Sequence, residues 1–503
     1  MDSPGAGESA GAGVLLAACV SALVVNANTS AVTILLPAIS EDVNAPISQL
    51  QWAVTGYMLV GAAVIVTSGA LGDVLGRRRV FLAGLALFVV SCVLIALSRS
   101  GAGVIGGRMV QGAAGSTILA CGMSLLSVAS SGAAQMRAIT MWGAASAAGA
   151  AVGPLVGGLL VGATGWQGLF WIDAAIAAAL IPLTLTRVAE SRDPKRPRSI
   201  DVGGTVLIAV VLVPLVLALS EGASWGWMSP ATLSCLVISV LGAGGFAAVE
   251  RRVRAPIVDL RLLRNGILVG ATLAILLVAG AINALMYVLS LYFQDPAVFG
   301  MSALEAGLAT LPAAAAMIAV TPLITPLAVK IGPGLAVALG FGIAALAFAA
   351  LVFVTASWTY PVFVVPLIAV AVGLGLANGP SSSASTASVS PDEIGQASGI
   401  SNMARYVGGS LAVAAVATVS TAVTDTHRGV GESAADALAA GLSGASLLLT
   451  ILSLAGVALA WLVRHHSAAR TRAIHRAAAA AVTAHTIPTQ PTVSAEPRSE
   501  RLA

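Results

Sequence analysis

Fourteen long apolar runs constrain this chain more than any other feature. Each is about 20 residues or more, nearly free of charge, and continuous rather than alternating in pattern. A helix that crosses a bilayer needs about 20 such residues, and only helices or closed barrels satisfy their backbone polar groups in lipid. Continuous runs predict helices. They fall at 13–37, 50–71, 79–98, 103–127, 137–161, 167–187, 200–221, 230–249, 267–291, 303–328, 334–355, 359–380, 397–423 and 441–463, named here spans 1 to 14. Charged residues make up 9% of the chain, against about 25% in an ordinary soluble protein. A surface facing water cannot be built from that stock. A soluble enzyme, a nucleic-acid-binding protein and a disordered scaffold are excluded, and the predicted fold class is all-α integral membrane.

The basic residues sort by side. Of 25 Lys and Arg, 21 fall in segments that an even number of crossings puts on one side. Only Arg99 and Arg428 fall on the other, while Arg108 and Arg405 lie within spans. Basic loops stay in the cytoplasm, so both termini are expected there, in a multi-pass protein of the cytoplasmic membrane. Span 1 is too long for a cleaved signal peptide, and no Lys or Arg precedes it. The densest basic segments, 187–198 and 251–264, flank spans 7 and 8 and set that pair apart. The expected division is 1–190, 191–266 for the inserted pair, 267–464, and a tail over 465–503. The tail opens as an Ala/Arg-rich helix suited to an anionic lipid surface and ends in a disordered Thr/Pro/Ser-rich stretch, 486–500.

Several chemistries have no residues to carry them. Cys19, Cys92, Cys121 and Cys235 all sit in apolar runs, without disulfide or zinc spacing. All five histidines lie outside the runs, and no metal site is expected. A phosphate-cradling loop ends in Gly-Lys, but Lys195 follows Pro194 and Lys330 follows Val329. A secondary transporter, a channel or a structural membrane protein remains.

Three motifs separate these. After span 2 the chain reads Gly69-Ala-Leu-Gly72-Asp73-Val-Leu-Gly76-Arg77-Arg78-Arg79. One carboxylate among three arginines at a glycine-rich helix junction can pair in one conformation and release in another. Span 4 carries Arg108, Gln111 and Gly112. An arginine inside a span costs from about 3 to 10 kcal/mol or more unless it faces a wet cavity or a partner. Span 5 carries Gly149, Gly153 and Gly157 four apart, with Pro154 and Gly158, a smooth stripe for close helix contact.

On these motifs the chain resembles the major facilitator superfamily and, within it, the 14-span drug:proton antiporter family. Gln51-Trp52 with Tyr57, Gly165-Trp166, Tyr292-Phe293-Gln294, Gly395-Gln396-Ala397-Ser398-Gly399 and Arg405 with Gly408-Gly409 extend the resemblance to span 13. It implies two six-helix halves with an inserted pair. It further implies alternating access, a non-enzymatic antiport driven by the proton gradient with no cofactor, and export of an antibiotic or similar lipophile. The expected partners are that small molecule, protons and membrane lipid, with a monomer as the working unit. The segment Leu327-Ala-Val-Lys330-Ile-Gly332 repeats the Leu71-to-Gly76 spacing with Val329 in place of the acid, as a decayed second copy would. The Asp73 loop would be a conformational latch and the span 5 glycines a seam between halves. An exporter of an endogenous metabolite, lipid or peptide is one alternative, and a non-transporting sensor or scaffold another.

The chain departs from the family at two places. The position in span 1 where the family keeps an Asp, counted back from Leu36-Pro37, is Asn28. The position after Gly165-Trp166 that usually holds Asn is Asp173, in span 6. One hypothesis is that the carboxylate has moved, so that Asp173 neutralises Arg108 or carries the proton; the competing one is a structural Asp173 in an interhelical gap. The C-terminal half has no acid at mid-membrane, so the predicted substrates are neutral, weakly basic or anionic lipophiles. Tyr57, Asn283, Tyr287, Asn378 and Arg405 are the further lining candidates.

Overall fold

The computed structural model describes residues 4–129, 132–192, 201–253, 256, 258–390 and 393–485. The stretch 486–500 and residues 193–198 of the basic segment 187–198, Lys195 included, lie outside the described residues. Among those described there is no strand. Fifteen α-helices follow one another. They are α1 (Pro4–Asp42), the short α2 (Ile47–Leu50), α3 (Trp52–Leu75), α4 (Arg77–Ala96), α5 (Gly101–Ala129), α6 (Gly132–Thr164) and α7 (Gln167–Arg187). Then come α8 (Val202–Trp225), α9 (Pro230–Glu250), α10 (Gly266–Gln294) and α11 (Ala303–Ile331). The last four are α12 (Pro333–Val352), α13 (Tyr360–Ala387), α14 (Ile394–Gly429) and α15 (Ala434–His485). Fourteen of them are long and apolar enough to cross a membrane, so each predicted span has its helix.

Several helices run past the apolar limits read from sequence, as α13 does to Ala387 and α14 to Gly429, while the capped starts of α10 and α11 fall where the sequence puts them. Ser302 and Glu305 close a reciprocal capping box at the start of α11. Asn265 caps α10 through bonds from Ile267 N and Leu268 N. The largest difference is at the C-terminus. The tail expected as a separate surface helix is instead continuous with span 14, since α15 runs unbroken to His485.

Helices α1 and α3–α7 pack on one another, as do α10–α15. Gly76 (φ +119°) parts α3 from α4, and Gly332 (φ +88°) parts α11 from α12. The same left-handed joint thus recurs at the spacing the sequence repeats. Helix α9 packs on α8, and α8 lies against both α3 and α14. Thr67 of α3 and Thr205 of α8 share a 2.6 Å hydrogen bond, and Thr418 of α14 donates to the Leu219 carbonyl at 2.7 Å.

Two faces can be told apart: the basic face, which carries Asp73, and the far face. The two sets of helices bind each other closely on the far face. Ser290 Oγ donates to the Thr33 carbonyl (2.9 Å) and Gln294 Nε2 to that of Ile34 (3.1 Å). Gly158 presses on the backbone of Ala303 and Leu304, and Gly307 on Pro154. Toward the basic face the two sets meet through apolar packing of α3 on α14, around Ala62, Ala63, Ala397 and Ile400, with Ser398 Oγ 3.9 Å from Met123 Sδ.

Candidate functional site

A buried polar cluster lies where α1, α3, α4, α5 and α7 converge. Arg108, on α5, is fully buried, as are Asn28 on α1 and Gln111 one turn along α5. The guanidinium donates to three neutral acceptors through Nε and Nη1, while its buried Nη2 has no hydrogen-bond partner. Nε donates to the Ala53 carbonyl (3.0 Å) and Nη1 to Asn28 Oδ1 (2.5 Å) and to Gln111 Oε1. Its Cζ stands 4.2 Å over the Tyr57 ring, a cation–π contact worth about 2 kcal/mol when desolvated. Gln111 in turn donates from Nε2 to the Cys92 thiol at 3.0 Å.

An acidic side chain joins the cluster at one remove from Arg108. Asp173, on α7 and 5% exposed, accepts from Asn28 Nδ2 at 2.7 Å. Among the described ion pairs none joins Asp173 to Arg108 directly. Asn28 stands between them, accepting from the guanidinium and donating to the carboxylate. Helix α7 is held in place by Trp166 Nε1 and Gln167 Nε2, which both donate to Asp42 Oδ2 at the end of α1 (2.9 Å each). Asp173 points inward because α7 packs on α1 and α4.

Arg405, on α14, donates to Asn378 Oδ1 (2.9 Å) and Ser382 Oγ (2.7 Å), both on α13. It is partly open and lies well inside its helix. Its neighbour Tyr406 faces Tyr57 across the halves, ring centroids 6.4 Å apart. Asn283 donates to the Ala279 carbonyl of its own helix (2.8 Å), and Tyr287 is buried in the core. Gly112 serves packing, for a Cβ there would run into the Tyr57 carbonyl.

The glycine stripe of span 5 needs correction. Gly149, Gly153 and Gly157 face α1 of the same half, at Leu23, Ala27 and Ala31. Gly158, one residue and about 100° further round the helix, meets α11 of the other half together with Pro154. The stripe builds one half, and its last glycine makes the seam.

Asp73, in the last turn of α3, pairs through Oδ1 with Arg77 of α4 at 2.8 Å; the stretch expected as a loop is helical up to Leu75, and Gly76 alone parts the two helices. What sequence reasoning missed is Glu190, beyond the end of α7. Its carboxylate accepts from the backbone N of Arg78 (3.1 Å) and Arg79 (3.3 Å) and lies against Gly76. Arg77 N donates to the Ser191 carbonyl and Arg78 Nη1 to that of Val188. The start of α4 is thus seated on the strand of chain leaving α7. A lone Glu in a basic loop gave no signal of this. Among the described residues no three His, Cys, Asp or Glu side chains gather.

Two helical halves, a pair of bridging helices and a buried cluster around Arg108 within the spans define a polytopic transporter. The family model described as Major Facilitator Superfamily matches residues 18–413. A tetracenomycin C resistance and export protein of Streptomyces glaucescens is 33% identical over 320 residues, covering 64% of this chain and 59% of that protein's length. The multidrug resistance protein Stp of Mycobacterium tuberculosis (strain CDC 1551 / Oshkosh) is 30% identical over 389 residues, 77% of this chain and 72% of that one. The crystal structure of an auto-inhibited POT family peptide transporter shares the fold, with a TM-score of 0.65 at 15% identity over 90% of this chain and 96% of that one. The chain belongs to the Major Facilitator Superfamily.

Proposed function

We propose that this transporter exports an antibiotic or similar lipophilic drug by alternating access, drawing on the proton gradient, across the cytoplasmic membrane. The observation that carries the reading is the pair of arginines, Arg108 and Arg405, held within the spans by neutral acceptors on either side of the Tyr57–Tyr406 contact. A charged group at that depth is tolerated where it faces water or a ligand. The names of the tetracenomycin C and Stp relatives support drugs as the load. The hydrogen bonds between α1 and α10 on the far face fit a state closed to the outside, with the basic face and both termini in the cytoplasm. The neutral hydrogen-bonding lining, without an acid on α13 or α14 beside Arg405, favours neutral or anionic lipophiles over dications.

A drug-susceptibility panel in a pump-deficient host tests this. Wild type should raise tolerance to at least one lipophilic drug, and Arg108→Ala should not. Collapse of the pH gradient should stop export from everted vesicles. Equal tolerance with and without the protein across the panel would overturn the drug reading. Export indifferent to the gradient would overturn proton coupling.

A further inference from the structure

We propose that Asn28 is a two-way relay through which Asp173, on α7, sets the hold on Arg108, so that the coupled proton is carried on α7. The proposal rests on the exporter reading for its place in transport, while its chemistry stands on the cluster itself.

An amide presents one acceptor and two donors with a fixed polarity. In the observed arrangement each end of that polarity meets its match: Oδ1 faces the guanidinium and Nδ2 faces the carboxylate. The orientation suits an ionised Asp173, which only accepts. When Asp173 takes up one proton, the new O–H must find an acceptor. The groups facing Asp173 are Asn28 from α1, Arg108 beyond it on α5, and the Cys92 thiol of α4, which already accepts from Gln111. Asn28 Oδ1 is the acceptor within reach. To meet the O–H the amide turns over, and its NH2 then faces Nη1 of Arg108, donor against donor. Arg108 loses one of its three acceptors and the carboxylate charge in the same event. Release of the proton restores both.

The consequence reaches the other half through α1. Thr33 and Ile34, five and six residues beyond Asn28, offer the carbonyls that Ser290 and Gln294 of α10 hold on the far face. The helix that reads the proton is therefore the helix that carries the seal.

The experiment is an exchange of the two side chains. Wild type, Asp173→Asn, Asn28→Asp and the double exchange N28D/D173N are purified in detergent and checked for a monodisperse elution profile. The protonated-carboxyl C=O stretch is followed in infrared difference spectra across a pH titration, and drug-driven proton flux is followed in vesicles. Wild type should show a carboxyl band that D173N loses and N28D/D173N regains. Drug-driven proton flux should be lost in D173N and return in the double exchange, where the acid sits on α1 with an amide opposite it. Asn28→Asp alone sets two carboxylates face to face and should titrate with a displaced midpoint. A band unchanged in D173N, or undiminished flux in that variant, overturns the proposal. A band that behaves as expected in a protein exporting no drug refutes the exporter reading and leaves the relay standing.

Discussion

At the scale of single residues, Arg108 is the most exacting side chain in the molecule. Hydrogen bonds to a charged group contribute about 1.5–3 kcal/mol each, and Arg108 makes three across a rigid fork, to Ala53, Asn28 and Gln111. Lysine carries the charge without the fork. Arg108→Lys should therefore reach the membrane in normal amount and fail to confer tolerance, by immunoblot and growth on drug plates; tolerance equal to wild type would show that only charge is needed. The arginine was legible in the sequence because a guanidinium inside a long apolar run has few places to go. Asn28 and Asp173 were legible as departures from a family pattern, each on its own. Their contact across 145 residues was not, because no local spacing encodes which face of α7 turns toward α1. Glu190 was invisible for a related reason. Its partners are backbone N–H groups at the start of α4, which have no side-chain signature.

Among the elements, α6 and α4 show how small residues decide close approach. A Cβ at Gly153 would meet the Ala27 carbonyl and Ser30 Cβ, whereas nothing lies within 4 Å of one at Gly143, ten residues earlier on the same helix. Overpacking costs about 1–3 kcal/mol. Gly153→Val should lower the melting temperature in detergent by several degrees, and Gly143→Val should leave it nearly unchanged; equal shifts would mean the stripe does not pack α1. At the start of α4, Glu190→Gln keeps the shape and removes the charge at a helix N-terminus, an interaction of about 0.3–1 kcal/mol. The expected outcome is a small loss of stability and a larger change in transport rate, because the joint between α3 and α4 is held by that carboxylate. Helix number and order came through from hydropathy alone. Helix ends did not: α13 runs to Ala387, past its apolar limit at 380, through Ser381, Ser382 and Thr386, whose hydroxyls bond back to carbonyls of the same helix.

For the whole molecule, sidedness and closure are the properties to measure. Arg79, whose side chain is 66% exposed, belongs to the basic face, and Arg428 is exposed on the other. Cysteines placed at the two positions should react with an impermeant maleimide from opposite sides of the membrane; labelling of both from one side would break the topology. A cysteine pair at Thr33 and Ser290, bridged by a short bifunctional reagent, should arrest export, and a cleavable reagent should allow its return. Export that continues through the bridge would mean the far face never opens.

The two ties of α8 have a mechanical consequence. Thr205 is fastened to one half and Leu219 to the other, fourteen residues and about 21 Å apart along the rod. A rod pinned at one end to each of two rocking bodies is a diagonal brace. It turns a tilt between them into its own rotation, and it limits how far they travel before a pin gives way. The inserted pair would then govern stroke length, a mechanical property that simpler two-part pumps must obtain from their loops.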